Sequence, residues 1–109
     1  MIKQILAAAG IPAKESRYIN PPSSTYAVYF DDTDTLGGPD PVPGAPLLIN
    51  HSATVELYEP TKDDASEAAL ESAIKAQGLH WTKQARYWLS NVQRYQVIYE
   101  FDYTETRRN

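Results

Sequence analysis

Five carboxylates, Glu56, Glu59, Asp63, Asp64 and Glu67, crowd the segment VELYEPTKDDASE, and an acidic run of this density could hold a metal ion or share protons in acid–base catalysis. Their spacing favours a plainer role. Glu56 and Glu59 close an alternating strand-like run. Asp64 stands where a helix N-cap belongs and Glu67 three residues later, the arrangement of a capping box. Asp63, Asp64 and Glu67 thus sit at a helix N-terminus, where unpaired N–H groups and the helix dipole favour negative charge. No histidine lies nearby in the sequence to complete a transition-metal set.

The other candidate sites fail on position. DDTDTLGG begins like a calcium loop at Asp32 and Asp34, but Leu36 takes the third ligand position and Pro43 stands where the closing glutamate is needed. His51 and His80 lie on different segments and form no metal-ligand pair. Ser52, His80 and an aspartate lack any nucleophile-elbow signature. Gly37, Gly38 and Gly44 alternate with prolines and precede a strand, which is not a phosphate loop. The residues therefore offer no catalytic, cofactor-binding or metal-binding set, and a protein without enzymatic activity and without a cofactor is expected.

The elements that would position these groups are legible from periodicity. Ile2, Ile5, Leu6 and Ala9 share one helix face, Gly10 fits the C-terminal cap and Pro12 blocks continuation. This apolar run is too short for a signal peptide or a membrane span. INPPSS is a turn. TYAVYF, residues 25–30, alternates as a strand. Residues 31–46, with four prolines, three glycines and four aspartates, read as a long loop that is mobile in the free chain and orders on a partner. In LLINHSATVELYE, Leu47, Ile49, His51, Ala53, Val55 and Leu57 point one way and the intervening residues the other. Residues 64–77 form the second helix, LHWTKQARYW the third strand and RYQVIYEFDY the fourth, and 104–109 fray as a polar tail. The order α-β-β-α-β-β predicts one α+β domain over 1–109: a four-stranded, mainly antiparallel sheet with two helices on one face.

Composition narrows the partners. The 109-residue chain has no cysteine and a net charge of −4, against disulfides, thiolate metal sites and a counterion-releasing nucleic-acid surface. It has eight tyrosines. Aromatic side chains on both faces of a sheet serve cross-strand packing or a protein interface. The interface residues expected here are Tyr26, Tyr29, Tyr58 and Tyr99, with Asp31, Asp32 and Asp34 from the loop.

The N-terminal amphipathic helix, the strand TYAVYF, the acidic loop, the strand–turn–helix VELYEPTKDD and the closing RYQVIYEFDY occur in an order that resembles small tail-completion proteins of tailed phages, the tail-terminator or tail-to-head joining family. The matching residues are Glu56, Leu57 and Tyr58, then Lys62 with Asp63 or Asp64, and Tyr95, Gln96, Val97, Ile98, Tyr99, Glu100 and Phe101, within a likeness covering about residues 2–103. The proline-rich loop and the aromatic stretch WTKQARYWLSNVQ depart from the family pattern. The resemblance implies a homo-oligomeric ring, commonly a hexamer, in the virion tail or neck after assembly from the host cytoplasm. Its implied partners are the major tail tube protein and the head–tail connector. It implies no membrane, no catalysis and no cofactor; DNA would pass the lumen without specific binding, since acidic walls repel it. Rival readings are a small metal-binding or enzymatic α+β domain and an adaptor of a contractile or secretion system.

Overall fold

The computed structural model describes residues 1–36 and 47–107. Helix α1 (Ile2–Ala9) buries Ile2, Ile5 and Leu6 and ends at Gly10, whose φ of 72° is left-handed. The Gly10 N–H donates to Ala7 O and the Ile11 N–H to Leu6 O, the paired bonds of a Schellman end, and Ile11 folds back into the core. Strand β1 (Ala13–Glu15) pairs in parallel with the start of β2 (Tyr26–Leu36). It stops because Ser16 adopts φ 65° and the chain turns away.

β2 pairs antiparallel with β3 (Leu47–Glu59), and β3 with the last strand, β6 (Arg94–Arg107). Between them run α2 (Asp64–Ala76) and two short strands, β4 (Thr82–Lys83) and β5 (Tyr87–Leu89), both paired with β6. The sheet order is β1-β2-β3-β6-β4, with β5 also on β6.

The fold is α+β, but the four-stranded, mainly antiparallel sheet expected from the sequence is replaced by a six-stranded mixed sheet with one parallel pair. β1 is a three-residue strand whose only partner lies across a turn, too short to carry a period. The expected third strand is two short pieces that follow one edge of β6, interrupted at residues 84–86, where the register shifts by one residue. Residues 31–36, assigned by composition to the loop, continue β2 opposite residues 48–53. Residues 104–107, assigned to a frayed tail, continue β6 opposite residues 47–50. Strand formation by polar residues follows from the partner they pair with more than from their own propensity. The rest of the expected loop, 37–46, and residues 108–109 lie outside the described residues.

The odd-numbered positions of β2, β3 and β6 form one face. Ala27, Tyr29, Ala53, Val55, Leu57, Val97, Tyr99 and Phe101 pack there with Ile2, Ile5 and Leu6 of α1 and Leu70 and Ile74 of α2. Beyond the helices, β2, β3 and β6 continue as a three-stranded arm, and the principal extents are 52 × 26 × 22 Å. Among the described residues no strand pairs with the outer edge of 30–36 on β2 or of 101–107 on β6.

Candidate functional site

Helix α2 is capped by Asp63, not by the expected Asp64. The Asp63 carboxylate accepts the Ser66 N–H at 3.0 Å, the Ser66 hydroxyl at 2.7 Å and the Thr25 hydroxyl. Its pKa is held below the carboxylate range by the bond from Thr25 and then those from Ser66. The cap moves by one residue because Thr25, at the start of β2, and Glu59, which accepts the Asp63 N–H at 3.2 Å, both hold Asp63 at the strand–helix turn. Asp64 is exposed, 3.9 Å from Lys62, and accepts from Arg86 Nη2 at 3.4 Å.

Glu67 is consequently not a capping-box residue. It is buried on α2 beside Glu59 at the end of β3, and both glutamates are all but inaccessible, with relative exposures of 2% and 0%. Arg86 reaches them from the segment between β4 and β5, its Nη2 2.6 Å from Glu67 and its Nε 3.4 Å from Glu59. Lys83 lies 2.8 Å from Glu67 and 3.0 Å from Glu71, and Glu71 accepts the Tyr99 hydroxyl at 2.6 Å. Burial, and after it the hydrogen bond with Glu67, raises Glu59 to about 7 against the pull of the Asp63 N–H and Arg86. For Glu67 burial works the same way, but the bonds from Glu59, Lys83 and Arg86 outweigh it and hold the group low. Below about pH 7 the pair thus tends to hold a proton on the Glu59 side, with Glu67 the more acidic partner. A shallow cleft of about 300 Å³ lies alongside, lined by Glu67, Lys83, Gln84 and Arg86, and it does not open onto Glu59. The network can tie α2 to the sheet and to the β4–β5 segment, but it presents no free acid or base to a ligand.

A second cluster sits on the arm. His51, on the odd face of β3, is 7% exposed. Its Nδ1 lies 2.8 Å from Asp31 on β2 and its Nε2 2.9 Å from Glu105 on β6. The Tyr103 ring stacks on the imidazole at 4.3 Å and 7°, and its hydroxyl donates to Asp31 at 3.3 Å. Among the described residues no group of three or more His, Cys, Asp or Glu side chains is arranged to hold a metal ion.

Among the described residues no helix packs on the even face. Its rows run Tyr26–Tyr58–Gln96, Val28–Glu56–Ile98, Phe30–Thr54–Glu100, Asp32–Ser52–Asp102 and Asp34–Asn50–Thr104. The face thus grades from aromatic and aliphatic near the body to acidic on the arm. Tyr26 stacks on Tyr58 at 5.1 Å, and Tyr18, from the segment after β1, closes over Tyr26 edge-on at 5.3 Å. The Tyr58 hydroxyl donates to Glu56 at 2.9 Å and accepts from Gln96 at 3.2 Å.

The seven residues expected at an interface are thus divided. Tyr29 and Tyr99 are core residues of the single chain and present no surface; Tyr26 is buried beneath Tyr18. Tyr58, Asp32 and Asp34 share the helix-free face, while Asp31 points to the opposite face and binds His51. Parity along β3 marks His51 as a polar residue in an apolar series, the one signal for its cluster visible in the sequence. Nothing local marks Arg86, Glu105 or the shared proton on Glu59. No described helix is long and apolar enough to cross a membrane. No protein-family model matches the chain, and no curated protein matches it.

Proposed function

We propose that this chain is an assembly subunit that joins copies of itself into a ring, completing the tail tube of a tailed phage and meeting the head connector. The observation that carries the reading is the arm: three long strands that, among the described residues, have two open edges and a helix-free face, extending past a body in which Glu67 is paired with Lys83 and Arg86. Open edges offer unpaired N–H and C=O groups, and a sheet face bare of helices leaves area for a neighbour to cover. Exposed apolar side chains elsewhere, Tyr87 and Trp88 on β5 and Val92 after it, give a second contact zone on the body. Two unlike surfaces on one subunit are what a head-to-tail contact needs, and such contacts close into rings. The likeness of VELYEPTKDD and RYQVIYEFDY to tail-completion proteins supports the particular assembly. The acidic row of the arm, Asp32, Asp34 and Asp102, suits a lumen through which DNA passes without adhering.

The test is genetic. Deleting the gene from the phage or prophage that carries it is expected to leave heads unjoined to tails of abnormal length in electron micrographs. Normal infectious particles from the deletion strain would overturn the reading.

A further inference from the structure

We propose that His51 is a proton-gated lock on the arm: protonated on both ring nitrogens it clamps β2 and β6 onto β3, and loss of one proton at alkaline pH frees one of the two outer strands. This goes beyond the ring reading and does not depend on it.

The geometry is specific. A neutral imidazole has one N–H and one lone pair, so it can donate to only one acceptor. Here both nitrogens face carboxylate oxygens, Asp31 Oδ1 at 2.8 Å and Glu105 Oε1 at 2.9 Å. A lone pair aimed at a carboxylate oxygen repels it, so two short contacts require two N–H groups or a protonated carboxyl. Glu105 does not hold that proton, because the bond from His51 keeps its pKa below the carboxylate range. For His51 itself burial disfavours the charge, but the hydrogen bonds to Glu105 and Asp31 outweigh burial and raise the pKa above the ordinary value. Tyr103 seals the ring from above, and burial pushes its hydroxyl up to about 12, so it remains a donor to Asp31 throughout.

The remaining charges near the cluster are few. Arg107 on β6 reaches the same Glu105 oxygen at 3.2 Å, but its side chain is 62% exposed and the pair is well screened. Met1 and Lys3 at the start of α1, and Glu15 on β1, line the adjoining cavities beside Asp31.

The lock sits where backbone support is thinnest. β1 reaches only to Tyr29 on β2, and β4 and β5 only to Glu100 on β6. Past those points each outer strand is held to β3 along one edge, and Asp31 and Glu105 are the outer-strand side chains that grip the central strand's ring. The native state holds a proton more firmly than the unfolded chain, so the clamp is complete below the unfolded histidine value. It is lost as pH rises through the native one, and again in acid as the carboxylates protonate.

Nitrogen-15 NMR of the full chain across pH, with native-state hydrogen exchange on the same sample, tests this. Both ring nitrogens of His51 should carry protons below its midpoint, which should lie above the model-peptide value of about 6.5. Between the open-state value of about 6.5 and that midpoint the opening equilibrium of arm amides, corrected for intrinsic exchange, should rise by up to about tenfold per pH unit and level off above it, while α2 amides keep theirs. In His51→Gln the rise should vanish. If that variant does not fold, Glu105→Gln, which keeps an acceptor but loses the charge, should lower the midpoint. One unprotonated ring nitrogen at about pH 6, below the model-peptide value, a midpoint at or below about 6.5, or arm opening indifferent to the His51 titration would overturn the proposal.

Discussion

Both ends of the sheet bury charge, and they do so in opposite ways. At the body end two glutamates face each other, Glu59 and Glu67, and the cations come from a segment outside the long strands, through Lys83 and Arg86. On the arm one cation, His51, stands between two carboxylates and draws them in from both neighbouring strands. In the body the excess is of acid groups, and it is relieved by keeping a proton on Glu59. On the arm the excess is also of acid groups, but the proton is kept on the histidine. The difference follows from surroundings. Glu59 is sealed by α2 and the sheet, so ionising it has no water to help. Asp31 and Glu105 keep side-chain exposures of 26% and 36%, so water reaches both, and the bond from His51 holds Glu105 low while the central ring takes the charge.

If that contrast is correct, breaking the body cluster costs most. Arg86→Met leaves Glu67 with Lys83 alone beside an acidic neighbour and should cost about 3 kcal/mol in urea denaturation at pH 7. A loss smaller than about 1 kcal/mol would mean that water reaches the pair. Glu59→Gln sharpens the same point, since an amide N–H can replace the carboxyl proton donated to Glu67. The native Glu59 value is raised, so the wild-type fold binds a proton that the unfolded chain releases, and it loses stability as pH climbs from about 4.5 to about 7. Across that window the variant should gain on the wild type by on the order of 3 kcal/mol, a rise of about 2.5 pKa units at about 1.4 each. Parallel stability–pH curves would place the proton elsewhere.

The arm should respond more weakly. His51→Leu removes two charge-assisted bonds to half-exposed partners and should cost about 1–2 kcal/mol at pH 7, with the loss shrinking in alkali as the wild-type clamp itself disappears. A cost that grows with pH would break the comparison. Smallest is the cap. Asp63→Ala should cost about 1 kcal/mol, and Asp64→Ala, whose contacts are a 3.9 Å approach to Lys62 and a 3.4 Å bond to Arg86, less than half as much by thermal melting. Equal costs would return the cap to the position that the capping-box spacing suggests.

That one-residue displacement shows how the sequence was readable and where it stopped. Asp63 and Asp64 are both good capping residues, and Glu67 fits a box with Asp64. Local spacing cannot include Thr25, thirty-eight positions away, whose hydroxyl selects Asp63. Tyr99 is a similar case. Its place in an alternating strand is plain from RYQVIYEF, but whether its face meets a helix or a neighbouring subunit depends on where α2 lies. It lies over Tyr99, which moves that residue from the expected interface to the core.

The sequence by itself determined what depends on neighbours along the chain: the face on which Val55 and Leu57 lie, set by the two-residue period of an extended backbone, and the end of α1 at Gly10, set by a conformation that glycine adopts at little cost. Tertiary structure decided what depends on partners far along the chain. Asp31 to Thr35 and Thr104 to Arg107 are strand because β3 lies beside them, and Glu59 keeps a proton because α2 and the sheet close water out around it. Hydrogen-bond ladders and desolvation are properties of the assembled chain, and no local pattern of residues carries them.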